Sequence, residues 1–454
     1  MKISDIQKKA IEHVGRNLQL IACAGSGKTE VVARHIVNLL TPGKKYSVLP
    51  KNIVAFTFTE KAAAELKERI VTRTRELLGD IPGMAEMYVG TIHGFCLELL
   101  KNEIAKYRKF DVLSDVQQIL FIDRNSSKSG LTKSTDLSGK PLKRYSDTNI
   151  YSSALSILRE AAINKKALGG CSIIDGMGAY KKSLDSHSYL DYSAILDKAV
   201  EALFSDADLR KRFAERVRHV IVDEYQDVNP IQEAVVHALH DLGAELCVVG
   251  DDDQVLYQWR GSDVQNILTF EKRYAPIKQV TLEENFRSSE GIVETAREFI
   301  TQNTERLPKK MTPTGAQAYE PGDLVALGFN DPNEEAHYIV EACQSLLGAE
   351  IKDSNGKKRG IAWSDMAILL RSVANNAAPI TQALDTAKVP YLVVGMNELF
   401  ATYEARAARE LFYFMAARID EAAVLKAWEA ARTGATLTEL KNAIKAAAKS
   451  RDDM

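Results

Sequence analysis

The chain has 454 residues, of which 45 % are hydrophobic and 26 % charged, and its formal net charge is −2; such a length predicts about three domains, and the composition is ordinary for a soluble globular protein. No apolar stretch approaches the ~18 residues of a membrane span, the N-terminus lacks the apolar core of a signal peptide, and five scattered cysteines without a CxxC pair predict a reducing, cytoplasmic setting without structural zinc. The near-zero charge neither favours nor excludes a nucleic-acid partner, since a local basic groove can be hidden in a neutral total.

Short apolar runs in the first part of the chain predict buried parallel strands, each followed by a polar turn and most by a helical pattern. These strands are predicted at Leu18–Ala22, Ile53–Phe58, Val217–Val222, Leu246–Val249 and Ile277–Leu282. Alternation of strands and helices of this kind predicts a doubly wound α/β core.

Residues 94–216 interrupt this pattern and are predicted to form a mostly helical insertion. Within it, Arg124–Asn149 is rich in Ser, Lys, Thr and Gly and is expected to form a mobile, basic loop. A second α/β pattern begins after about residue 278, and the chain from about residue 397 is Ala-rich and helical. The strands of this second pattern are predicted at Val325–Gly328, Met366–Leu370 and Tyr391–Val394.

The segment ACAGSGKT follows the first predicted strand and precedes a helical pattern. It fits the phosphate-loop pattern G-x-x-x-x-G-K-[ST], except that Ala22 replaces the first Gly. Backbone N–H groups of such a loop can wrap a phosphate at a helix N-terminus. Lys28 would reach the β- and γ-phosphates, and the Thr29 hydroxyl would bind Mg²⁺. The predicted nucleotide-binding residues of the loop are Ala22, Ala24, Gly25, Ser26, Gly27, Lys28 and Thr29.

The segment VIVDEYQD, Val220–Asp227, places two adjacent carboxylates after an apolar strand. Ligands of open α/β sheets bind at the carboxyl ends of the strands. Asp223 would hold Mg²⁺, directly or through water, and Glu224 would orient and deprotonate the attacking water as the catalytic base. An acidic pair after a strand is by itself weak evidence for an ATP-hydrolysing site. Together, the phosphate loop and the acidic pair supply a phosphate cradle, a metal site and a catalytic base.

Seven segments, in order over about the first 400 residues, resemble motifs of the UvrD/Rep/PcrA-like helicases of superfamily 1A. SDIQKKAI resembles the adenine-reading Q motif, and its Gln7 lies 21 positions before Lys28. The phosphate loop and DEYQD resemble motifs I and II. The other matches are AFTFTEKAAAELKERI (Ala55–Ile70) to motif Ia, VGTIHGFCLELL (Val89–Leu100) to Ib, GDDDQVLYQWRG (Gly250–Gly261) to III and LEENFRSSEGIV (Leu282–Val293) to IV.

This resemblance implies an α/β fold with two RecA-like parallel-sheet domains, the second incomplete, and a helical insertion domain. Residues 1–93 and 217–277 would form domain 1A, 94–216 the insertion 1B, 278–396 the first part of domain 2A, and 397–454 the start of a helical domain 2B.

The resemblance also assigns nucleotide contacts. Gln7 would recognise the adenine edge and Phe286 would stack on the adenine ring. Arg287 would act as an arginine finger, since its planar charged group can spread over phosphate oxygens as charge develops. Gln254 would contact the γ-phosphate or the attacking water, because an amide both donates and accepts. Asp251 is expected to help order the site.

By the same resemblance, single-stranded DNA would lie along motifs Ia, Ib and III. Hydroxyl or imidazole contacts to phosphate position a strand without recognising its sequence, and aromatic rings stack on bases of any sequence. The implied DNA-binding residues are Thr57, Phe58, Thr59, Thr91, His93, Tyr257, Trp259 and Arg260. His93 and the two aromatic residues of motif III could alternatively be structural residues of the core.

The sequence departs from the family pattern in two places. Glu30 stands where many relatives have an Arg near the nucleotide, which could weaken nucleotide binding or simply change local partners. No stretch matches the T-x-H-x-x-K-G type of motif V, and LFYFMAAR (Leu411–Arg418) is better matched to the passage from domain 2A into 2B than to motif VI. We therefore expect a fragment or a shortened relative that lacks the last motor motifs.

The implied function is an ATP- and Mg²⁺-dependent DNA helicase or translocase that is stimulated by single-stranded DNA and moves 3′→5′ on single strands or 3′-tailed duplex. The alternative is a nucleotide-gated DNA-binding subunit that needs a protein partner to complete the motor, such as a helicase-like component of anti-phage defence. A phosphotransferase acting on a small molecule would leave Tyr257, Trp259 and the ordered motifs unexplained.

Overall fold

The computed structural model describes residues 3–136, 138–161, 163, 168, 171–258, 261–352, 357–394, 403–415, 420–431, 434 and 436–452. The chain forms two compact units, Met1–Leu324 and Val325–Met454. The predicted DNA-binding residues Trp259 and Arg260 lie outside the described residues, as does Arg418 of the segment LFYFMAAR. None of the described helices has the length and apolar content to cross a bilayer.

A six-stranded parallel sheet forms the centre of the first unit, in the order β3-β2-β6-β7-β1-β8. Two further pairs are short: β4 with β5, and β9 with β10. The strands are β1 Asn17–Ala22, β2 Ile53–Thr57, β3 Tyr88–Thr91, β4 Asp111–Val112, β5 Tyr189–Leu190, β6 His219–Val222, β7 Glu245–Gly250, β8 Ile277–Leu282, β9 Glu284–Asn285 and β10 Thr312–Pro313.

Helices connect the strands of the first unit. They are α1 Asp5–Ile11, α2 Lys28–Leu40, α3 Glu60–Leu78, α4 Ile92–Glu103, α5 Asp115–Arg124, α6 Thr148–Glu160, α7 Ser172–Ser186, α8 Tyr192–Ser205, α9 Ala207–Arg216, α10 Pro230–Asp241, α11 Gln265–Leu268, α12 Phe270–Tyr274 and α13 Glu290–Ile300.

Both faces of the central sheet are buried, which explains why its strands are continuous apolar runs. Successive side chains of a strand point to opposite faces. Ile53 and Ala55 of β2 accordingly pack in one apolar cluster, and Val54 and Phe56 pack in the other. The α/β class predicted from the sequence is confirmed.

Two features of this sheet differ from the predicted strands. The edge strand β3 was missed, because it is only four residues long and contains Gly90, so it carries little of the apolar signal of the buried strands. Strand β8 pairs with β1 from Asn17–Ile277 to Ala22–Leu282. Its residues therefore belong to the first sheet, and the expected start of a second domain at residue 278 falls inside a strand of the first unit.

The segment between β3 and β6 is mostly helical, as expected for an insertion, although helix α4 begins at Ile92 rather than after residue 93. The predicted mobile loop is packed against α6 and α7 where it is described. Leu131 and Ser134 are completely buried, and the Tyr151 hydroxyl donates to the Ser129 carbonyl at 2.8 Å. Small polar side chains such as Ser134, which donates to Gly130 O, satisfy the irregular backbone and anchor it.

The second unit is mostly helical, and its described residues include one two-stranded hairpin. Its elements are α14 Pro332–Leu346, β11 Glu350–Lys352, β12 Lys358–Gly360, α15 Val373–Thr386, α16 Tyr403–Met415, α17 Glu421–Ala430 and α18 Leu437–Asp452. The predicted strands Val325–Gly328, Met366–Leu370 and Tyr391–Val394 pair with no other described segment. Apolar side chains within them are exposed, Leu369 by 92 % and Leu392 by 85 %. An apolar pattern forms a strand only where a neighbouring strand accepts its hydrogen bonds.

Candidate nucleotide and nucleic-acid site

The phosphate loop connects β1 to α2 at the carboxyl edge of the sheet. Gly25 and Gly27 have φ values of +69° and +83°, a left-handed conformation in which glycine is free of the strain that a side chain would add. Ala22, in contrast, is the last residue of β1 and its side chain lies in the core. Extended backbone does not require glycine, so Ala can replace Gly there. The loop therefore keeps the geometry of a phosphate cradle despite this departure.

Gln7 closes one side of the phosphate loop. The side chain is buried, its Nε2 donates to the Ser26 carbonyl at 2.9 Å, and its Oε1 accepts from the Ser4 backbone N–H at 3.0 Å. The adenine contact implied for Gln7 stays a prediction. The Ser26 hydroxyl is buried without a hydrogen-bond partner among the described residues. An orphaned donor in this position fits a loop that receives a phosphate.

Asn285 joins the opposite side of the loop to motif IV. Its Nδ2 donates to the Ala24 carbonyl at 2.9 Å, while its Oδ1 accepts the backbone N–H groups of Arg287 and Ser288, both at 2.8 Å. The Phe286 N–H donates to the Gly25 carbonyl at 3.0 Å. A side chain on Gly25 would approach Asn285 to 2.8 Å, so this contact also explains the glycine. Motif IV is thereby fixed against the phosphate loop.

The Arg287 side chain is exposed and makes no hydrogen bond or ion pair with another residue of the described part of the chain. Its backbone, in contrast, is held by Asn285. A guanidinium with an anchored backbone and an available charge is suited to reach a phosphate. The roles implied for Arg287 and Phe286 toward ATP stay predictions.

The predicted catalytic base is paired with the lysine of the phosphate loop. Lys28 Nζ lies 2.9 Å from Glu224 Oε2, and the buried Gln226 amide donates to the same oxygen at 2.9 Å. Glu224 has φ +51°, a left-handed conformation that is uncommon for a residue with a side chain. Such strain persists only where the surroundings hold the residue, and it is typical of functional sites.

Two aspartates beside Glu224 titrate well above their ordinary range. Burial and the Glu224 carboxylate raise the pKa of Asp223 from 3.8 to about 6, and Lys28 acts in the opposite direction. The same causes raise the pKa of Asp227 to about 6. Asp227 Oδ1 is buried without a partner among the described residues. The site therefore holds more buried negative charge than its own cations neutralise, which favours binding of a cation.

We expect Asp223→Asn to stabilise the metal-free chain at pH 8 and to leave its stability unchanged at roughly pH 3.5. Below its unfolded pKa the carboxyl is protonated in both states. Between pH 3.8 and about 6 the folded state binds more protons, so stability falls as pH rises; above that range the full cost of a buried charge remains. The measurement is the melting midpoint against pH in the presence of a chelator. The exposed Asp111→Asn serves as control, and a lower midpoint for Asp223→Asn at pH 8 would contradict the argument.

The three consecutive aspartates after β7 are held by cations from a distant segment. Lys309 Nζ lies 3.0 Å from Asp251 and 3.1 Å from Asp253, and it also contacts Asp252. Gln254 donates to Asp251 Oδ2 at 2.5 Å. Asp251 therefore orders this turn, and the acidic run is satisfied by ion pairs within the chain. The γ-phosphate contact of Gln254 stays a prediction.

The buried Glu30 carboxylate is surrounded by three partly exposed arginines. Its carboxylate accepts from Arg34 at 2.6 Å, lies 2.9 Å from Arg73 and is 4.0 Å from Arg69. Burial acts to raise the pKa of Glu30, but hydrogen bonds from Arg34 and Arg73 outweigh it and hold the pKa below its ordinary value. Of the two consequences considered for this departure, a change of local partners is the one the structure shows, since Glu30 links α2 to α3.

Motifs Ia and Ib lie side by side at the same edge of the sheet. The Thr57 hydroxyl is buried and donates to the Thr59 carbonyl at 3.0 Å. Thr59 and Thr91 cap the N-termini of α3 and α4, and Thr91 also donates to Glu60 at 2.8 Å. These threonines therefore shape the loops, and their contacts with DNA stay predictions.

Among the described residues of the implied DNA groove, the aromatic side chains contact each other or the helical insertion. Phe58 and Tyr257 stack with ring centroids 4.6 Å apart and an angle of 28°. His93 packs edge-on against Tyr192 at 5.9 Å, and burial lowers its pKa to about 4, so the ring is neutral at pH 7. A pocket lined by Phe58 and His93 also contains Asp223 and Glu224. The implied DNA residues and the predicted catalytic carboxylates thus share one part of the surface.

Four residues of this site were missed by the sequence analysis. Gln226 and Asn285 lie inside motifs that were quoted, but amides carry no pattern that separates an organising role from a surface one. Lys309 and Arg306 lie in a segment, NTERLPKK, that matches no motif, and only the fold brings them to the aspartates.

A strand–loop–helix cradle with an acidic pair at the same edge of the sheet is typical of phosphate-loop nucleotide-binding proteins. The UvrD/REP helicase N-terminal domain matches residues 3–275, and the UvrD-like helicase C-terminal domain matches residues 280–450. Because the first match covers more than half of the chain, the protein belongs to the UvrD/REP helicase family.

Named relatives agree with this assignment. The chain is 32 % identical over 432 residues to "ATP-dependent DNA helicase UvrD1" of Mycobacterium leprae, which covers 90 % of this chain and 51 % of the relative. It is 31 % identical over 412 residues to "ATP-dependent DNA helicase PcrA" of Bacillus subtilis, covering 89 % and 52 %. The chain thus spans about half the length of the curated relatives it matches. The C-terminal family match reaches residue 450 and gives no support to the expected absence of the last motor motifs or to a shortened form.

Proposed function

We propose that this chain is an ATP-hydrolysing DNA helicase or translocase stimulated by single-stranded DNA and moving 3′→5′. The observation that carries the proposal is the contact of Lys28 with Glu224 at 2.9 Å, which joins the phosphate loop to the acidic pair. Family membership and the names of the relatives support the same activity.

In the proposed mechanism, ATP binding rearranges the Lys28–Glu224 pair. The γ-phosphate would attract the Lys28 ammonium, which leaves the Glu224 carboxylate to accept a proton from the attacking water. Gln226 keeps hold of Glu224 during this change through its 2.9 Å hydrogen bond. Arg287 would approach the phosphate oxygens from motif IV as negative charge develops.

The residues present fit Mg²⁺, since Thr29 and Asp223 offer a hydroxyl and a carboxylate and this ion prefers oxygen ligands. When bound, Mg²⁺ supplies positive charge to the phosphate oxygens of ATP. Because the pKa of Asp223 is raised to about 6, we expect Mg²⁺ binding to weaken as pH falls below about 6, where this carboxyl is protonated.

DNA would be held beside this centre by the loops of motifs Ia, Ib and III. The stacked pair of Phe58 and Tyr257 presents aromatic surface, and base stacking is worth roughly 1–3 kcal/mol per base. The pocket that contains Asp223 and Glu224 is also lined by Phe58, which stacks on Tyr257, so the acidic motif and the aromatic pair lie close together. The substrate form that we propose is a single strand or a 3′-tailed duplex.

The test is ATP turnover with and without single-stranded DNA, beside strand separation on 3′- and 5′-tailed duplexes. We expect turnover to rise several-fold with DNA and to be lost in Lys28→Met, and any unwinding to need the 3′ tail. DNA-independent turnover would contradict the DNA half of the proposal. Turnover that requires a second protein would favour the alternative of a nucleotide-gated subunit.

A further inference from the structure

A buried ion cluster joins the three aspartates of motif III to a segment that matches no motif assigned to ATP or DNA. The Lys309 side chain is 1 % exposed and its ammonium contacts all three aspartates of Asp251–Asp253. Arg306 forms a two-point pair with Asp253, from Nε to Oδ1 at 2.9 Å and from Nη2 to Oδ2 at 2.6 Å. The Leu307 N–H donates to Asp252 Oδ2 at 2.7 Å.

The cluster contains three carboxylates and two cations, so Lys309 is necessary for its charge balance. Like charges at these distances repel strongly in a buried environment. Burial acts to lower the pKa of Lys309, but the carboxylates of Asp251 and Asp252 outweigh it and raise the pKa above its ordinary value. Lys309 is therefore charged at neutral pH.

The cluster is connected to Gln254, which is expected to contact the γ-phosphate or the attacking water, and to Glu224, the predicted base. Asp251 Oδ2 accepts from the Gln254 amide at 2.5 Å while Oδ1 lies 3.0 Å from Lys309. The Asp251 N–H donates to Gln226 at 3.0 Å, and Gln226 donates to Glu224 at 2.9 Å. A shift of Asp251 would therefore displace the Gln254 amide and disturb the support of the base.

The segment that carries Lys309, residues 306–312, also contacts motif IV through its C-terminal end. The Lys310 N–H donates to the Glu283 carboxylate and the Thr312 N–H to the Glu283 carbonyl, at 2.7 and 2.8 Å. Strand β10 then pairs with β9, which carries Asn285 and its contact with the phosphate loop. Lys309 thus lies in a segment that contacts both motif III and motif IV.

We propose that Lys309 is a positioning residue of the ATP site, whose ammonium orients the Gln254 amide through the Asp251 carboxylate. The proposal rests on the proposed function, because the orientation of Gln254 matters where a γ-phosphate is bound. Lys309 would thereby contribute to the specificity for ATP, since a correctly oriented Gln254 amide distinguishes ATP from ADP, which lacks the γ-phosphate.

A charge-balanced double variant separates positioning from charge compensation. Lys309→Met with Asp252→Asn removes one cation and one carboxylate, so the net charge of the cluster is unchanged and Asn can still accept from Leu307. Lys310→Met, at an exposed neighbouring lysine, is the matched control. Each chain is assayed at a temperature where its circular dichroism equals that of the parent, for kcat and KM of ATP hydrolysis and for Kd of ADP and of a non-hydrolysable ATP analogue.

We expect the double variant to lose about tenfold or more in kcat and most of its preference for the ATP analogue, with Kd for ADP unchanged. Parental kcat and parental preference in the folded double variant would overturn the proposal and make Lys309 a charge compensator. If the parent binds nucleotide without hydrolysing it, the proposed function is contradicted but the role of Lys309 is not. The ratio of the Kd values for ADP and the ATP analogue still tests that role. A loss of the same size in Lys310→Met would also overturn the proposal.

Discussion

Glu224→Gln is expected to lower kcat for ATP hydrolysis by roughly 10²- to 10⁴-fold, the usual contribution of a general base, while ATP still binds within a few-fold of the parent. The substitution keeps the shape of the side chain, and its amide oxygen can still accept from Lys28, which is 2.9 Å away in the parent. The amide cannot take a proton from water, however, so the chemical step fails. Turnover should be measured beside equilibrium binding of ATP and of single-stranded DNA.

The matched control for this experiment is Glu201→Gln, at an exposed glutamate in the helical insertion, which should leave kcat unchanged. Turnover of Glu224→Gln within tenfold of the parent would show that another group accepts the proton. Asp227 would then be the next candidate, because it is buried, has one oxygen without a described partner and lies close enough to Glu224 for their charges to interact. Combining Glu224→Gln with Asp227→Asn would decide between the two.

Asp191→Ala is expected to lower the free energy of unfolding by about 3–5 kcal/mol, because it leaves a buried guanidinium without its partner. The side chains of Arg159 and Asp191 are at most 1 % exposed, and their two-point contact has distances of 2.8 and 2.6 Å. Asp191 also accepts from the Tyr180 hydroxyl at 2.9 Å and caps α8 through the Ala194 N–H. Equilibrium denaturation of parent and variant measures the effect.

The control for the capping part of this effect is Asp206→Ala, which removes an aspartate cap from α9 without breaking a buried ion pair. We expect it to cost ~1 kcal/mol. Replacing both members of the buried pair, as Asp191→Leu with Arg159→Met, should cost less than Asp191→Ala alone, since no charge is left unpaired. A single-variant loss no greater than that of Asp206→Ala would contradict the buried-pair argument.

The same ion pair defines a pH dependence. Burial acts to raise the pKa of Asp191, but attraction and hydrogen bonds from Arg159 outweigh it and hold the pKa below its ordinary value. A depressed folded pKa adds stability above the unfolded pKa, and that stability is lost as pH falls. The difference between parent and Asp191→Ala should therefore shrink in acid.

The α/β class and the nucleotide site could be predicted from the sequence because their signals are local. Buried parallel strands are apolar throughout, and a phosphate loop needs small residues followed by Lys and Thr. ACAGSGKT and VIVDEYQD can therefore each be recognised from eight consecutive residues. The strands predicted for the second unit were wrong, because these segments pair with no other strand among the described residues. An apolar pattern shows that a segment can be buried, but it does not show whether a neighbouring strand is present to pair with it.

What the sequence by itself determined is the order of the motifs, the α/β class and the residue types of the phosphate site, since each depends on neighbours along the chain. Only the tertiary structure decided that Asp251–Asp253 bind Lys309 and Arg306, more than 50 positions away, and that Glu30 binds Arg73, 43 positions away. The physical reason is that a charged side chain can pair with any side chain of opposite charge, so its own sequence position does not identify its partner. Which one it meets, and whether the pair is buried, depends on the path of the backbone between them.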